Sequence, residues 1–186
     1  PARLNMAAQV CDTRAEAERG RVAIIDLSGE GPRDVTYGAL RAMADRLAHG
    51  LVARGVRRGD RVGVLRGQGG WCAAAHIAIW KIGAISIPLF KLFKEDALVS
   101  RVGDAGAKVV VTDVGGGAML RALPGVTPVI PEHEALPAGR FETVDTGAEE
   151  PAVLIYTSGT TGSPKGALHA HRVLTGHLPG VEMSHD

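Results

Sequence analysis

Apolar positions recur along this chain at two alternating periods. Leu40, Met43, Ala44, Leu47, Leu51 and Val52 fall on one face at helical spacing, with Thr36 or Tyr37 near the start and Gly55 at the end, and they predict the clearest helix. Before it, residues 6–19 are helical in type, between a candidate cap at Asn5 and a stop at Gly20. Residues 22–27, VAIIDL, form a short apolar run between turn signals and predict a strand. Residues 28–34 are turn material, and a short strand at 35–37 can pair back as a hairpin. After the long helix the pattern predicts strands at 61–66, 84–89, 109–112, 126–130 and 152–156, with helices at 71–81, 95–104 and 118–123 between them.

Strand and helix alternate, which predicts an α/β fold in three layers: a mainly parallel sheet with helices on both faces. The strands are continuous apolar runs, as expected when both faces of a sheet are covered. VGVL, ISI, VVV and VLIY are the expected central strands. Residues 131–151, rich in Pro, Gly and Glu, read as a connecting loop. There is no internal repeat, heptad or low-complexity tract.

Composition narrows the function classes. With 186 residues, 45% apolar and 22% charged, the chain has material for one core and is not a disordered polymer. Only seven residues are Phe, Trp or Tyr, so the core must be built from Ala, Val, Leu and Ile. Lys plus Arg number 21 against 20 Asp plus Glu, a net charge of +1, which gives no basic excess for nucleic acid. Cys11 and Cys72 lie far apart without a CxxC pattern, so neither a disulfide framework nor a Cys-based zinc site is expected, and a reducing cytoplasm is the default. No signal peptide is visible. Residues 71–90 have membrane-span length, but Lys81 sits in the middle, and a charge at a bilayer centre costs about 2.5–3.5 kcal/mol. The stretch is expected to be a buried helix, a glycine stop at Gly83 and a buried strand, not a membrane span.

One segment carries chemistry. The strand AVLIY, 152–156, runs directly into TSGTTGSPKG, 157–166, where small residues and hydroxyls crowd together with one lysine and no carboxylate. Small residues let backbone N–H groups turn toward a ligand, and successive N–H groups form a concave nest for phosphate oxygens. Lys165 adds a mobile positive charge. The loop is not a Walker motif, because Pro164 precedes Lys165 and no Gly-Lys-Ser/Thr follows at the required spacing. RGQGGWC, 66–72, has Cys72 where a dinucleotide fingerprint needs glycine, and reads as a plain strand-to-helix turn. His169, His171 and His177 match no standard zinc spacing, and no metal site is assigned. A flexible linker of turn residues would share the composition of 157–166, but linkers do not usually punctuate a sheet.

YTSGTTGSPKG, 156–166, resembles the signature loop of the adenylate-forming (AMP-binding) enzymes: acyl-CoA synthetases, luciferases and peptide-synthetase adenylation domains. Residues 35–65 are similar to that family's opening strand, helix and Gly-Asp turn. WKIGAISIPLF, 80–90, resembles its lysine–glycine–alanine–proline segment, and 88–113 are most similar to short- and medium-chain acyl-CoA synthetases. The resemblance implies two steps. A carboxylate attacks the α-phosphorus of ATP to give an acyl-adenylate and pyrophosphate, and coenzyme A then displaces AMP to give a thioester. It implies that Thr157, Ser158, Gly159, Thr160, Thr161, Gly162 and Lys165 hold the β- and γ-phosphates. It implies ATP, Mg²⁺ and coenzyme A for the full-length enzyme, with no tightly bound cofactor in the present chain.

Enzymes of that family run to several hundred residues. Their adenine-binding segment, magnesium carboxylate, ribose aspartate, hinge and catalytic lysine have no counterpart here, so the chain is expected to be a truncated N-terminal portion, 1–186, inactive by itself. A partner class follows from each reading: small carboxylates and coenzyme A for the whole enzyme, and self-association through the face that a missing part would cover. The alternative is a free-standing nucleotide- or phosphate-binding α/β module without turnover. A domain whose loop is vestigial is the third reading.

Overall fold

The computed structural model describes residues 1–157 and 164–184. Asn5 opens the first helical segment, its Oδ1 accepting the Ala7 N–H at 2.9 Å. A π-helical turn, Ala8–Asp12, continues into helix α1, Thr13–Ala17. Strands β1, Val22–Asp26, and β2, Arg33–Thr36, then pair antiparallel as the expected hairpin. Thr36 ends β2 and caps the long helix α2, Tyr37–Ala53, by accepting the Ala39 N–H at 3.2 Å.

Strand β3, Arg61–Leu65, is followed by helix α3, Gly70–Ile82, strand β4, Ile85–Leu89, helix α4, Glu95–Ala105, and strand β5, Val109–Thr112. Gly83 stops α3 at φ +75°, a left-handed position that a side chain would strain, and the chain passes straight into β4. The 71–90 stretch is therefore a helix, a glycine stop and a strand. Among the described residues no helix is long and apolar enough to cross a membrane.

Helix α5, Val114–Leu120, starts four residues before the expected 118. The run VGGG predicts poor helix on propensity. Two contacts override it. Asp113 Oδ1 accepts the Gly116 N–H at 2.8 Å as an N-cap. A Cβ on Gly116 would lie 2.0 Å from Thr112 Oγ1, so only glycine lets the turn sit this close to β5. Strand β6, Thr127–Val129, follows, then a single 3₁₀ turn at Pro131–His133, strand β7, Pro151–Thr157, strand β8, Lys165–Ala170, and helix α6, Val173–Ser184.

The main sheet has the order β6-β5-β3-β4-β7-β8, parallel throughout except for β8. All four strands expected at the centre occupy interior positions. The period-two alternation sends Val62, Val64, Val109 and Val111 to one face, against α2 and α3, through Leu47, Ala48, Leu51, Ala75 and Ile79. Leu65, Ile87, Leu89 and Val110 go to the other face, against Leu98 and Val102 of α4 and Leu120 of α5. This is the expected three-layer arrangement. Each fully buried Val, Leu or Ile contributes about 1.5–3 kcal/mol relative to exposure, so no single contact decides the fold.

The connection over 131–151 is tied into the body rather than looped off it. Thr146 Oγ1 donates to Leu4 O at 2.7 Å, Val144 N donates to Lys81 O at 2.9 Å, and Arg3 bridges Gly147.

Candidate nucleotide-phosphate site

Strand β7 is buried in its middle and exposed at its end: Ala152, Val153 and Tyr156 are inside, Thr157 outside. Its start is stapled to β4 by Trp80, whose Nε1 donates to Ser86 Oγ at 3.1 Å and Ala152 O at 3.0 Å. Tyr156 fixes its far end by donating its hydroxyl to Asp104 Oδ2 at 2.5 Å, and burial together with that bond holds the phenol well above its ordinary range. Thr157 thus leaves the sheet at the carboxyl end of the parallel strands, the end at which open α/β sheets bind ligands.

Lys165 returns at the start of β8, paired in register with Thr157, while Gly166 faces Tyr156. Of the residues assigned to phosphate, Thr157 and Lys165 therefore face each other across the hairpin. Ser158, Gly159, Thr160, Thr161 and Gly162 lie outside the described residues. Lys165 is exposed and makes no ion pair among the described residues. The structure adds to the sequence reading that Lys165 and Gly166 belong to a strand, not to the loop proper.

At the same end of the sheet, the C-termini of β3, β4 and β5 frame a crevice of about 430 Å³ lined by Arg66, Lys91, Asp113, Asp26 and Glu132. Its cations are already matched. Arg66 binds Glu132 through both Nη atoms and also donates to Thr112 O at 2.5 Å, and Lys91 lies 2.6 Å from Asp113 Oδ2. Burial raises the Asp113 carboxyl, but the Lys91 and Gly116 hydrogen bonds outweigh it and hold the group below its usual range. The crevice therefore differs from Lys165, whose charge has no ion-pair partner among the described residues.

The glycine turn at 67–70 is a strand-to-helix turn, and its capping group comes from far away in sequence. Asp26 Oδ2 accepts the Gly70 N–H at 2.9 Å, and Asp26 Oδ1 accepts the Ser28 N–H at 2.9 Å. Hydrogen bonds from Ser28 and Gly70 lower the Asp26 carboxyl to about 2. Its stabilisation of α3 is thus complete above the ordinary carboxylate range and is lost as pH falls toward 2. Nothing local in the sequence marks Asp26 as this cap.

The histidines do not form a site. His171 is buried and accepts the Met6 N–H on Nδ1 at 3.1 Å, with burial lowering its pKa, so it serves the N-terminus. Among the described residues no group of three or more His, Cys, Asp or Glu side chains could hold a metal. Cys11 and Cys72 are both free thiols, and burial pushes Cys11 up to about 12.

In the sequence Lys81 argues against a membrane span and falls within the family-like segment 80–90, but nothing there assigns it a partner. In the structure its side chain is 1% exposed and its Nζ reaches Asp12 Oδ1 at 2.5 Å, Asp45 Oδ1 at 3.0 Å and Thr143 Oγ1 at 3.0 Å. The available signal was Asp45, a charge on the flank of the apolar face of α2. No spacing in the sequence joins it to residues 12, 81 and 143.

Comparison with known proteins agrees with this geometry. The family profile described as AMP-binding enzyme matches residues 11–185. The acetyl-coenzyme A synthetase of Magnetococcus marinus is 32% identical over 90% of this chain and 31% of its own length. Acetyl-coenzyme A synthetase 2 of Pseudomonas putida is 34% identical over 86% of this chain and 30% of its own. Among solved structures, apo MatB from Rhodopseudomonas palustris superposes with a TM-score of 0.81 at 29% identity, over 96% of this chain and 37% of that one. A Brucella canis acyl-CoA synthetase gives 0.78 at 28% identity, over 94% and 34%. The chain spans about a third of the length of these relatives.

Proposed function

Because the chain belongs to the AMP-binding enzyme family, we propose that it is the N-terminal portion of an ATP-dependent carboxylate–CoA ligase. In this reading the β7–β8 hairpin holds the β- and γ-phosphates of ATP through Thr157, Ser158, Gly159, Thr160, Thr161, Gly162 and Lys165. The observation that carries it is the placement of Lys165: a cation without an ion-pair partner among the described residues, directly opposite Thr157 at the carboxyl end of the sheet. A phosphate group there meets a mobile charge and the N–H groups and hydroxyls of small residues. The names of the relatives support a small carboxylate and coenzyme A as co-substrates; a cytoplasmic location is part of the same proposal. ATP would bring Mg²⁺ as the counter-ion of its phosphates.

Pyrophosphate departure needs more than a leaving-group cradle. The carboxylate must be held near the α-phosphorus, and proximity supplies a large part of any such rate. The 186-residue chain should therefore release no pyrophosphate above background with ATP and acetate, butyrate or octanoate. Steady turnover by purified chain of this length would overturn the reading of it as a portion of the active unit.

Self-association belongs to the same proposal. β8 is an edge strand of six residues with no proline and one charge, exposed along most of its length; its own Leu168 is 57% exposed and Ile155 of the neighbouring β7 39%. The opposite edge, β6, is three residues with Pro128 at its centre. An unblunted edge offers free backbone donors and acceptors to another strand. Sedimentation across a wide concentration range should show dimers or larger species. A strictly monomeric profile would count against β8 as a contact surface.

A further inference from the structure

The far end of the sheet, where the parallel strands begin, holds a groove that the ligase reading does not use. Helix α4 and the turn between α5 and β6 enclose about 380 Å³, within the range of small-molecule sites. Its wall is apolar: Val99, Val102, Leu123 and Val126, with Gly103 leaving the floor open. Val99 is 46% exposed in the middle of that wall. One charged residue lines it, Lys108, immediately before β5.

Lys108 is free to meet a ligand. It has no carboxylate partner among the described residues. The carbonyl end of α4, which would otherwise attract it, is already satisfied. Gly106 N donates to Gly103 O and Ala107 N to Val102 O, both at 3.0 Å, and Arg61 Nε donates to Ala105 O at 2.8 Å. Lys108 is exposed at this rim, where a lysine can lay its alkyl stem on apolar surface and keep its ammonium in water. Lys108 and Gly106 also line a second, more polar cavity of about 230 Å³, which contains Arg61 and Arg54. That cavity also contains Asp60, and Arg54 is paired with Glu134, so Lys108 is the cation that the apolar groove itself presents.

We propose that this groove binds a linear alkyl carboxylate, its chain along Val99, Val102, Leu123 and Val126 and its carboxylate against Lys108. An apolar trough with a single unpaired cation at one end is complementary to a molecule with an apolar tail and one negative head. The site lies at the opposite end of the sheet from Thr157 and does not rest on the ligase reading.

The test is titration of the 186-residue chain with decanoate and, separately, decanol, followed by calorimetry and by amide chemical shifts. Decanoate should saturate one site and shift amides of α4 and of residues 122–126. A Cβ on Gly103 meets nothing within 4 Å, and its φ is not in the left-handed region, so Gly103→Phe fills the groove without displacing the fold. It should weaken decanoate at least about tenfold. Ala122→Phe, at an exposed residue on the other wall, should do the same and serves as the second variant. Lys108→Glu should weaken decanoate by about three- to fivefold, as an exposed charge contact does, and leave decanol unchanged. Absence of saturable binding would overturn the proposal. So would binding that survives both Phe variants, which would place the ligand elsewhere, or equal effects of Lys108→Glu on acid and alcohol.

Discussion

Lys81→Ala should lower the unfolding free energy by about 3–5 kcal/mol, a large part of a typical domain's total. The Lys81 side chain is 1% exposed; its ammonium donates to Asp12 Oδ1 and Thr143 Oγ1 and lies 3.0 Å from Asp45 Oδ1 as an ion pair. Removing it leaves two carboxylates, 13% and 5% exposed, facing each other with no cation between them. Thr143 in turn donates to Asp12 Oδ2 at 2.6 Å, so the cluster also pins the 131–151 connection to the first helical segment. The loss should therefore be larger than that of a surface pair, which contributes about 0–1 kcal/mol. Urea unfolding followed by far-UV circular dichroism measures it. The triple variant Lys81→Met with Asp12→Asn and Asp45→Asn should recover much of the loss, because burying neutral groups avoids the uncompensated charge. A decrease under about 1 kcal/mol for Lys81→Ala would show that the cluster is hydrated and not a structural ion pair.

The layers of the fold were legible because burial repeats locally. Continuous runs such as VVVT and the apolar face of α2 announce which side each residue takes, and the alternation of strand with helix implies a parallel sheet. Boundaries and caps were less legible because their partners are distant. Asp26 caps α3 across 44 residues, and Trp80 joins β4 to β7 across 72. α5 was read too late because three glycines depress helix propensity, whereas contact with Thr112 requires one of them. Strand β8 was missed for a different reason. KGALHA has little β-branched character, and its pairing with β7 comes from being next along the hairpin, not from its own composition. In the candidate site, the identity of Lys165 and Thr157 could be read from the loop's chemistry, but their facing position could not.

Lys165→Ala, made in an active protein that carries this chain, should slow acyl-adenylate formation by about ten- to hundredfold and leave thioester formation nearly unchanged. Pyrophosphate leaves in the first half-reaction only. A cation on the β- and γ-phosphates therefore stabilises that transition state and has no group to act on once AMP is the leaving group. One charge-assisted contact of this kind contributes about 1.5–3 kcal/mol, which sets the expected range. The competing account makes Lys165 an exposed strand residue with no task beyond solubility. Two features favour the functional account. Lys165 makes no ion pair among the described residues, so the fold gives its charge no structural duty. It also stands in register with Thr157, where the chain enters and leaves the small-residue loop. Since its side chain is exposed and has no ion pair among the described residues, the substitution should leave the melting temperature within about a degree or two, as surface changes do. Wild type and variant are then supplied with ATP plus carboxylate and, separately, with preformed acyl-adenylate plus coenzyme A. Equal impairment of both half-reactions, or of neither, would remove Lys165 from the phosphate site.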